Sequence, residues 1–386
     1  MSIYVPREDS FMLQIFVKIH SKGKVLDMGT GSGIQALTAA SNANVKSVLA
    51  VDINKKAIEY CRKNIKNKKI IFKYSDLFSD VKEKFDTIIF NPPYLPADGF
   101  KIDISVIGGK KGHETVERFL DEADDYLSEK GIILLLLSSL ANQQKIDEII
   151  DKNAFVYEEL AEKEAGLYEK LHAYLIRKSD LLKKLEKLGI KHVKKFTKGH
   201  RGVIYAGKLN GKKVAIKIQR PDIQVKTIEN EINCLKVLSK KKIGPKVIFS
   251  GKDYFVYEFI EGRFIKDFID KTKDRKIIKK ILKDVMLQCR TLDKLEMNKE
   301  EMHHPYKHVI VADKNKAVLV DFERCRKTRD PKNVTQFCQY LISGKMNHLL
   351  SEKGIKINRE KIIELAKNYK KDFKNKSFLE ILKILK

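Results

Sequence analysis

A strand, a glycine-rich turn and a helix follow one another without a spacer, and that succession restricts the fold more than any other feature. The strand is Lys24-Val25-Leu26-Asp27-Met28 and the turn is Gly29-Thr30-Gly31-Ser32-Gly33. The helix continues through Ile34, Leu37, Thr38 and Ala40 at three-to-four spacing. Glycine at 29, 31 and 33 admits positive φ and lets backbone approach a ligand closely. The pattern is G-x-G-x-G, not the G-x-G-x-x-G of dinucleotide folds. Similar units follow at intervals of roughly 25 residues, the spacing of parallel βα units. Residues 47–51 end in Asp52, residues 70–74 lead to Asp76, and residues 87–90 run into Asn91-Pro92-Pro93-Tyr94. The expected fold is therefore α/β, a doubly wound Rossmann-like domain with these four features at the carboxyl ends of successive parallel strands. The apolar run 132–137 after Gly131 reads as a buried strand, and 172–176 as the last one.

Each strand end suggests a contact. Asp27 can meet a cationic group, Asp52 can accept from ribose hydroxyls, and Asp76 can take an adenine amine. In Asn91-Pro92-Pro93-Tyr94 the prolines fix the backbone and remove two N–H donors. Asn91 can then accept through its side-chain oxygen and Pro92 through its carbonyl, while Tyr94 stacks on a flat face. That arrangement suits a planar NH2 group. His113 reads as a helix-start residue, with proton transfer as the alternative.

The 386 residues carry a formal charge of +27 that is unevenly spread. Residues 1–178 hold 26 basic and 26 acidic side chains, whereas the remainder holds 52 of the 78 basic residues and 25 of the 51 acidic ones. Two domains are expected, 1–178 and 179–386, with Ser179-Asp180 capping the helix that opens the second. The basic half suits RNA, ribosomes or an acidic protein; a lysine-biased composition is the plainer reading. Five dispersed cysteines fit a reducing cytoplasm. No signal pattern is evident, and the longest apolar run is too short to span a bilayer.

The order of motifs resembles the class I S-adenosylmethionine-dependent methyltransferases. Three segments resemble the archaeal and eukaryotic branch of the HemK-like release-factor glutamine methyltransferases. They are Tyr4-Val5-Pro6-Arg7-Glu8-Asp9-Ser10-Phe11, the run from Phe90 through Asn91-Pro92-Pro93-Tyr94-Leu95-Pro96, and Gly108-Gly109-Lys110-Lys111-Gly112-His113-Glu114. The resemblance implies S-adenosylmethionine as cofactor, with contacts from Ser10, Asp27, Gly29, Asp52, Asp76 and Asn91, to which the reading of the turn adds Gly31 and Gly33. It implies transfer of a methyl group to the glutamine of a Gly-Gly-Gln motif in a peptide chain release factor, with Asn91, Pro92 and Tyr94 at the acceptor. A small zinc-binding activator subunit is an implied partner. The rival reading is an N-methyltransferase acting on an exocyclic amine of RNA or DNA, held by the basic half.

In the second half, Lys198-Gly199-His200-Arg201-Gly202 precedes a hairpin turn at Asn210-Gly211 and then Val214-Ala215-Ile216-Lys217. This resembles the nucleotide lobe of protein kinases, and most closely the RIO-like and archaeal predicted serine/threonine kinases. The resemblance implies a small atypical kinase-like domain with ATP and Mg2+. Gly199 and Gly202 would cover the phosphates, Lys217 would pair with Glu231, and Asp321 would ligate the metal. The departures are Thr197 for the first glycine, Glu323 for the glycine after Asp321-Phe322, and no H-R-D-x-x-x-x-N. Glu301 is the expected replacement for the catalytic aspartate and His308 for the metal-binding asparagine. His303, His304 and His308 suggest a metal site as an alternative. A nucleotide- or RNA-binding module without kinase activity is the rival reading. The tail 359–386 reads as basic amphipathic helices, with Phe378, Ile381, Leu382 and Leu385 on one face.

Overall fold

In the computed structural model, which describes residues 2–97, 107–166, 169–199, 201–220, 222 and 227–385, the strand–turn–helix is the centre of a seven-stranded sheet. The chain forms two compact units, one of residues 1–196 and 207–212, the other of 197–206 and 213–386.

In the first unit, α1 (Glu8–His20) precedes β1 (Gly23–Met28), and α2 (Ile34–Ser41), β2 (Val45–Asp52), α3 (Lys55–Asn64), β3 (Ile70–Tyr74) and β4 (Phe85–Phe90) follow. Short strands β5 (Leu95–Pro96) and β6 (Ile107–Gly109) pair with each other. Next come α4 (Glu114–Tyr126), β7 (Leu127–Ser138), α5 (Gln143–Lys152), β8 (Phe155–Glu164) and β9 (Lys170–Lys178). The sheet order is β3-β2-β1-β4-β7-β9-β8. Strands β3, β2, β1, β4 and β7 are mutually parallel, while β9 is antiparallel to both neighbours. The strand order reverses at β1 and β4, where an open α/β sheet forms its crevice.

Apolar periodicity explains the layers. Met12, Leu13 and Val17 of α1 and Ala36, Ala39 and Ala40 of α2 share a core with Val25, Ile89, Leu134 and Leu136. Small alanines let α2 lie close to the sheet. Phe119 of α4 stacks on Phe78 (ring centroids 5.4 Å apart), which also stacks on Tyr126 (4.4 Å). The first unit continues past β9 through α6 (Asp180–Lys187) and into β10 (Ile190–Lys198). Ser179 caps α6 by accepting from the Leu182 N–H. The buried Lys178 Nζ donates to the Asp124 carbonyl (2.7 Å) and pairs with Glu186 of α6.

Strands β11 (Gly202–Leu209) and β12 (Lys212–Gln219) flank Asn210-Gly211, both at positive φ (49° and 76°), the geometry of a two-residue hairpin turn. The second unit adds α7 (Thr227–Ser239), β13 (Val247–Ser250) and β14 (Tyr254–Glu258), with β14 antiparallel to β12 and β13. Then come β15 (Gly262–Phe264), α8 (Ile265–Lys271), α9 (Arg275–Lys294), β16 (Met297–Asn298), β17 (Val309–Ala312), β18 (Lys316–Leu319) and β19 (Arg326–Lys327). Helices α10 (Asn333–Leu341), α11 (Gly344–Glu352), α12 (Arg359–Asp372) and α13 (Asn375–Ile384) close the chain. The tail helices pack as their pattern predicts: Phe378, Ile381 and Leu385 are buried in the core of this unit, with Leu382 against it. Arg290 of α9 donates to the Tyr369 hydroxyl (2.7 Å) and the Phe373 carbonyl (2.6 Å), fastening α12. No helix among the described residues is long and apolar enough to cross a membrane.

Candidate active site

Met28 and Phe90 are register partners, so the turns that follow β1 and β4 emerge side by side. Gly29, Gly31 and Gly33 all have positive φ (65°, 54° and 84°). At Gly33 a Cβ would also stand 2.4 Å from Ile65 Cδ1. A cavity of about 340 Å³ opens here, lined by Ser10, Gly29, Gly31, Asn91, Pro92 and Tyr94 among others.

Asn91 is the centre of this cavity's chemistry. Its Nδ2 donates to Asp9 Oδ2 at 2.9 Å. A carboxylate only accepts, so this bond fixes the sense of the carboxamide. The Asn91 side-chain oxygen is then buried without a hydrogen-bond partner. A buried acceptor left unpaired costs about 1–3 kcal/mol, which a ligand N–H would recover. Asp9 is 4% exposed, and it also accepts from the Tyr4 hydroxyl (2.8 Å) and the Ser10 N–H (2.6 Å). Sequence reasoning used Asp9 only as part of a motif and missed it as the residue that orients Asn91, a contact spanning 82 positions. Burial, then the Asp9 charge, pushes the Tyr94 phenol well above its ordinary range, so it stays neutral. Gly108 supports the turn: a Cβ there would meet the Pro93 carbonyl at 2.5 Å and that of Gly112 at 2.4 Å.

The three strand-end aspartates are placed differently. Asp27 is 2% exposed, and its Oδ2 accepts from Thr30 Oγ1 (2.6 Å) and the Ala36 N–H (3.1 Å). Burial raises its carboxyl to about 7 against these two bonds. Asp52 binds the Gly31 N–H (2.8 Å) and the Asn54 N–H (2.7 Å), holding the glycine turn to β2. Asp76 is half-buried and paired with Arg118 at 3.0 Å. None of the three lines the cavity itself. His113 stands at the start of α4, buried, and outside the cavity lining. Positive-φ glycines and a buried, unpartnered carboxamide oxygen on a cavity-lining residue fit a ligand that carries a donor N–H.

A second cluster lies wholly in the second unit. Lys217 Nζ meets Glu231 Oε2 at 2.6 Å, Asp321 Oδ1 at 3.1 Å and Glu323 Oε2 at 3.4 Å. Burial alone would lower the Lys217 ammonium, but Glu231 and then Asp321 outweigh it and hold it above its ordinary value. Glu231 also accepts from the Phe322 N–H (2.9 Å). The Gly202 backbone passes close to Lys217, since a Cβ there would stand 3.4 Å from Lys217 Cε and 3.0 Å from the Ile218 carbonyl. The Gly199 N–H donates to the Gly202 carbonyl (2.8 Å). Glu301 and Asp321 both hold positive φ (74° and 62°), strain that concentrates at functional sites. His308 Nδ1 is buried without a partner, 3.7 Å from Asp321 Oδ2, an arrangement that fits a cation between them. Both Glu301 oxygens are engaged, one by Arg324 (2.6 Å) and one by His308 Nε2 (2.8 Å). His303 and His304 lie ring to ring, 4.5 Å apart. Among the described residues, the three-residue group close enough to share an ion is instead Glu159, Glu162 and His172.

Known proteins place the first unit. The family described as "Methyltransferase small domain" matches residues 9–166. A Methanocaldococcus jannaschii protein described as "Putative protein N5-glutamine methyltransferase" is 39% identical over 151 residues, covering 37% of this chain and 76% of that protein. The release factor glutamine methyltransferase of Streptococcus pneumoniae is 34% identical over 148 residues, which cover 34% of this chain. The chain spans about half of that bacterial relative (53%). Among solved structures, the E. cuniculi Mtq2–Trm112 complex, which methylates the eRF1 translation termination factor, matches with a TM-score of 0.39 and 23% identity. That match covers 46% of this chain and 100% of the other. With an archaeal relative covered over three quarters of its length and a family match across the site just described, this chain belongs to the methyltransferase small domain family, in the group that includes the protein N5-glutamine methyltransferases.

Proposed function

We propose that the first unit transfers a methyl group from S-adenosylmethionine to the side-chain amide nitrogen of the glutamine in a release factor's Gly-Gly-Gln motif. The observation that carries this reading is the buried, unpartnered oxygen of Asn91, a cavity-lining residue whose carboxamide is oriented by Asp9. Asn91 Oδ1 and the Pro92 carbonyl accept the two amide N–H bonds and turn the nitrogen lone pair toward the donor. Tyr94, neutral and half-buried, covers the flat face of the amide. Asp27 holds the cofactor's ammonium, the glycine turn its backbone, and Asp52 its ribose. Asp76 takes the adenine amine by releasing its exposed pair with Arg118, an exchange costing about 1 kcal/mol or less. When bound, S-adenosylmethionine supplies a methyl group already activated on a sulfonium. The protein's task is alignment, and proximity accounts for much of the rate. A small zinc-binding activator subunit and contact of the basic half with RNA or the ribosome belong to the same reading, as does a cytoplasmic location. Methyl transfer is measured on release factor and on tRNA, with the wild type and Asn91→Ala. Transfer to release factor that falls at least 100-fold in Asn91→Ala supports the reading; transfer to RNA alone sinks it.

For the second unit we infer a nucleotide site with phosphoryl transfer to serine or threonine. The buried Lys217–Glu231 pair beside Asp321 supports it, with His308 and Asp321 placed to share Mg2+. Glu301 acts as base only after release from Arg324 and His308. Radiolabelled ATP is offered to the full chain, to Lys217→Met and to Asp321→Asn. Label transfer lost in both variants is the expected result. Nucleotide binding without transfer in the wild type leaves a binding module and overturns the kinase reading.

A further inference from the structure

Methylation of an amide or an exocyclic amine requires the nitrogen to give up a proton, and none of the residues assigned so far can take it. Asn91 and the Pro92 carbonyl are not bases, and Tyr94 is held neutral. Among the described residues, three carboxylates line the cavity: Glu8, Asp9 and Glu169. Asp9 is committed to Tyr4, Ser10 and Asn91. Glu8 is exposed and lies 3.6 Å from Lys163. Glu169 differs from both, because its Oε1 is buried in the cavity wall with no hydrogen-bond partner.

The connection between β8 and β9 places it there. The Ala165 N–H donates to the Glu169 carbonyl at 2.8 Å, which closes the hairpin and brings Ala165, Gly166 and Glu169 to the cavity. The Glu169 charge acts on both Tyr4 and Tyr94, the two phenols at the acceptor side. An unpaired carboxylate oxygen in such a wall favours a ligand N–H, then the proton itself.

We propose that Glu169 is the proton acceptor of the methyl-transfer reaction; this rests on the acceptor site proposed above. The nitrogen forms its bond to the methyl carbon as the carbon–sulfur bond breaks, and the electron pair of that bond stays on sulfur. As the nitrogen becomes tetrahedral, the N–H that the Pro92 carbonyl accepted is released, and its proton moves to Glu169 Oε1, leaving a neutral N-methyl amide and a neutral carboxylic acid. The acid returns its proton to water after product leaves.

The test compares wild type, Glu169→Gln and Glu169→Asp as full chains, with release factor and with tRNA as acceptors. Binding of S-adenosylhomocysteine and of each acceptor is measured alongside kcat. Gln keeps a hydrogen-bond acceptor but not a base, so kcat falls at least 100-fold. Binding of both ligands stays within threefold. Asp restores part of the rate. Retention of kcat within threefold in Glu169→Gln overturns the proposal, as does an equal loss of acceptor binding. If only tRNA is methylated, the glutamine reading fails while the same kcat comparison still judges Glu169. Transfer to neither acceptor overturns both.

Discussion

Asp27 shows how much a single buried carboxylate constrains ligand binding. Its folded value is raised to about 7, against about 3.9 for an unperturbed aspartate. The fold therefore favours its protonated form, and the stability this gives below pH of about 4 is lost as pH rises through about 7. A ligand ammonium requires the opposite form. Binding of S-adenosylhomocysteine should thus release a proton across that window and tighten as pH rises toward 7. Calorimetry in buffers of different ionisation enthalpy measures the release. Asp27→Asn should bind weakly with no proton release; an unchanged pH dependence in that variant would count against Asp27 as the ammonium partner. Strand position made Asp27 legible in the sequence. Asp9 was not legible in the same way, because its importance lies in one bond to Asn91, and no periodicity encodes a contact between an amino-terminal helix and the end of β4.

At the scale of elements, period and punctuation reveal most of the first unit. Strands β1 to β4 follow from apolar runs that lead into glycine, aspartate or Asn-Pro, and β7 and β9 from the apolar runs 132–137 and 172–176. The Asn210-Gly211 hairpin follows from its turn residues. What the sequence hides is attachment: α6 belongs to the first unit through the buried Lys178, and a lysine reads as a surface residue until its partners, the Asp124 carbonyl and Glu186, are known. The β5–β6 pairing is hidden for a related reason, since its strands are too short for any period to show. It explains the glycines within β6. Gly108→Ala would push a Cβ against two carbonyl oxygens, those of Pro93 and Gly112. Backbone cannot yield as a side-chain tip can, so the Asn91–Tyr94 turn must shift. A displacement of about 1 Å at reacting atoms is enough to cost roughly 100-fold. Gly108→Ala should lose methyl transfer by about that factor while keeping the wild-type far-ultraviolet circular dichroism and S-adenosylhomocysteine affinity. Wild-type kcat in this variant would show that the turn tolerates the shift.

For the whole molecule, the described residues that line the methyl-transfer cavity belong to the first unit, and Lys217, Glu231, Asp321 and Glu323 belong to the second. Each unit has its own apolar core, so two-state unfolding of the entire chain is not expected and calorimetry should resolve two transitions. Lys217→Ala separates them. It strands Glu231, which is 3% exposed, without its cation, and breaking a buried pair from one side costs about 3–5 kcal/mol. Only the transition of the second unit should fall. The double variant Lys217→Met with Glu231→Leu removes both charges and should recover most of that loss, because the penalty lies in the unpaired carboxylate. Methyl transfer, measured below both transitions, should stay within twofold of wild type in either variant. A single transition that moves as a whole, or a parallel loss of methyl transfer, would mean that the Lys217 cluster and the methyl-transfer site are energetically one system despite their separate cores.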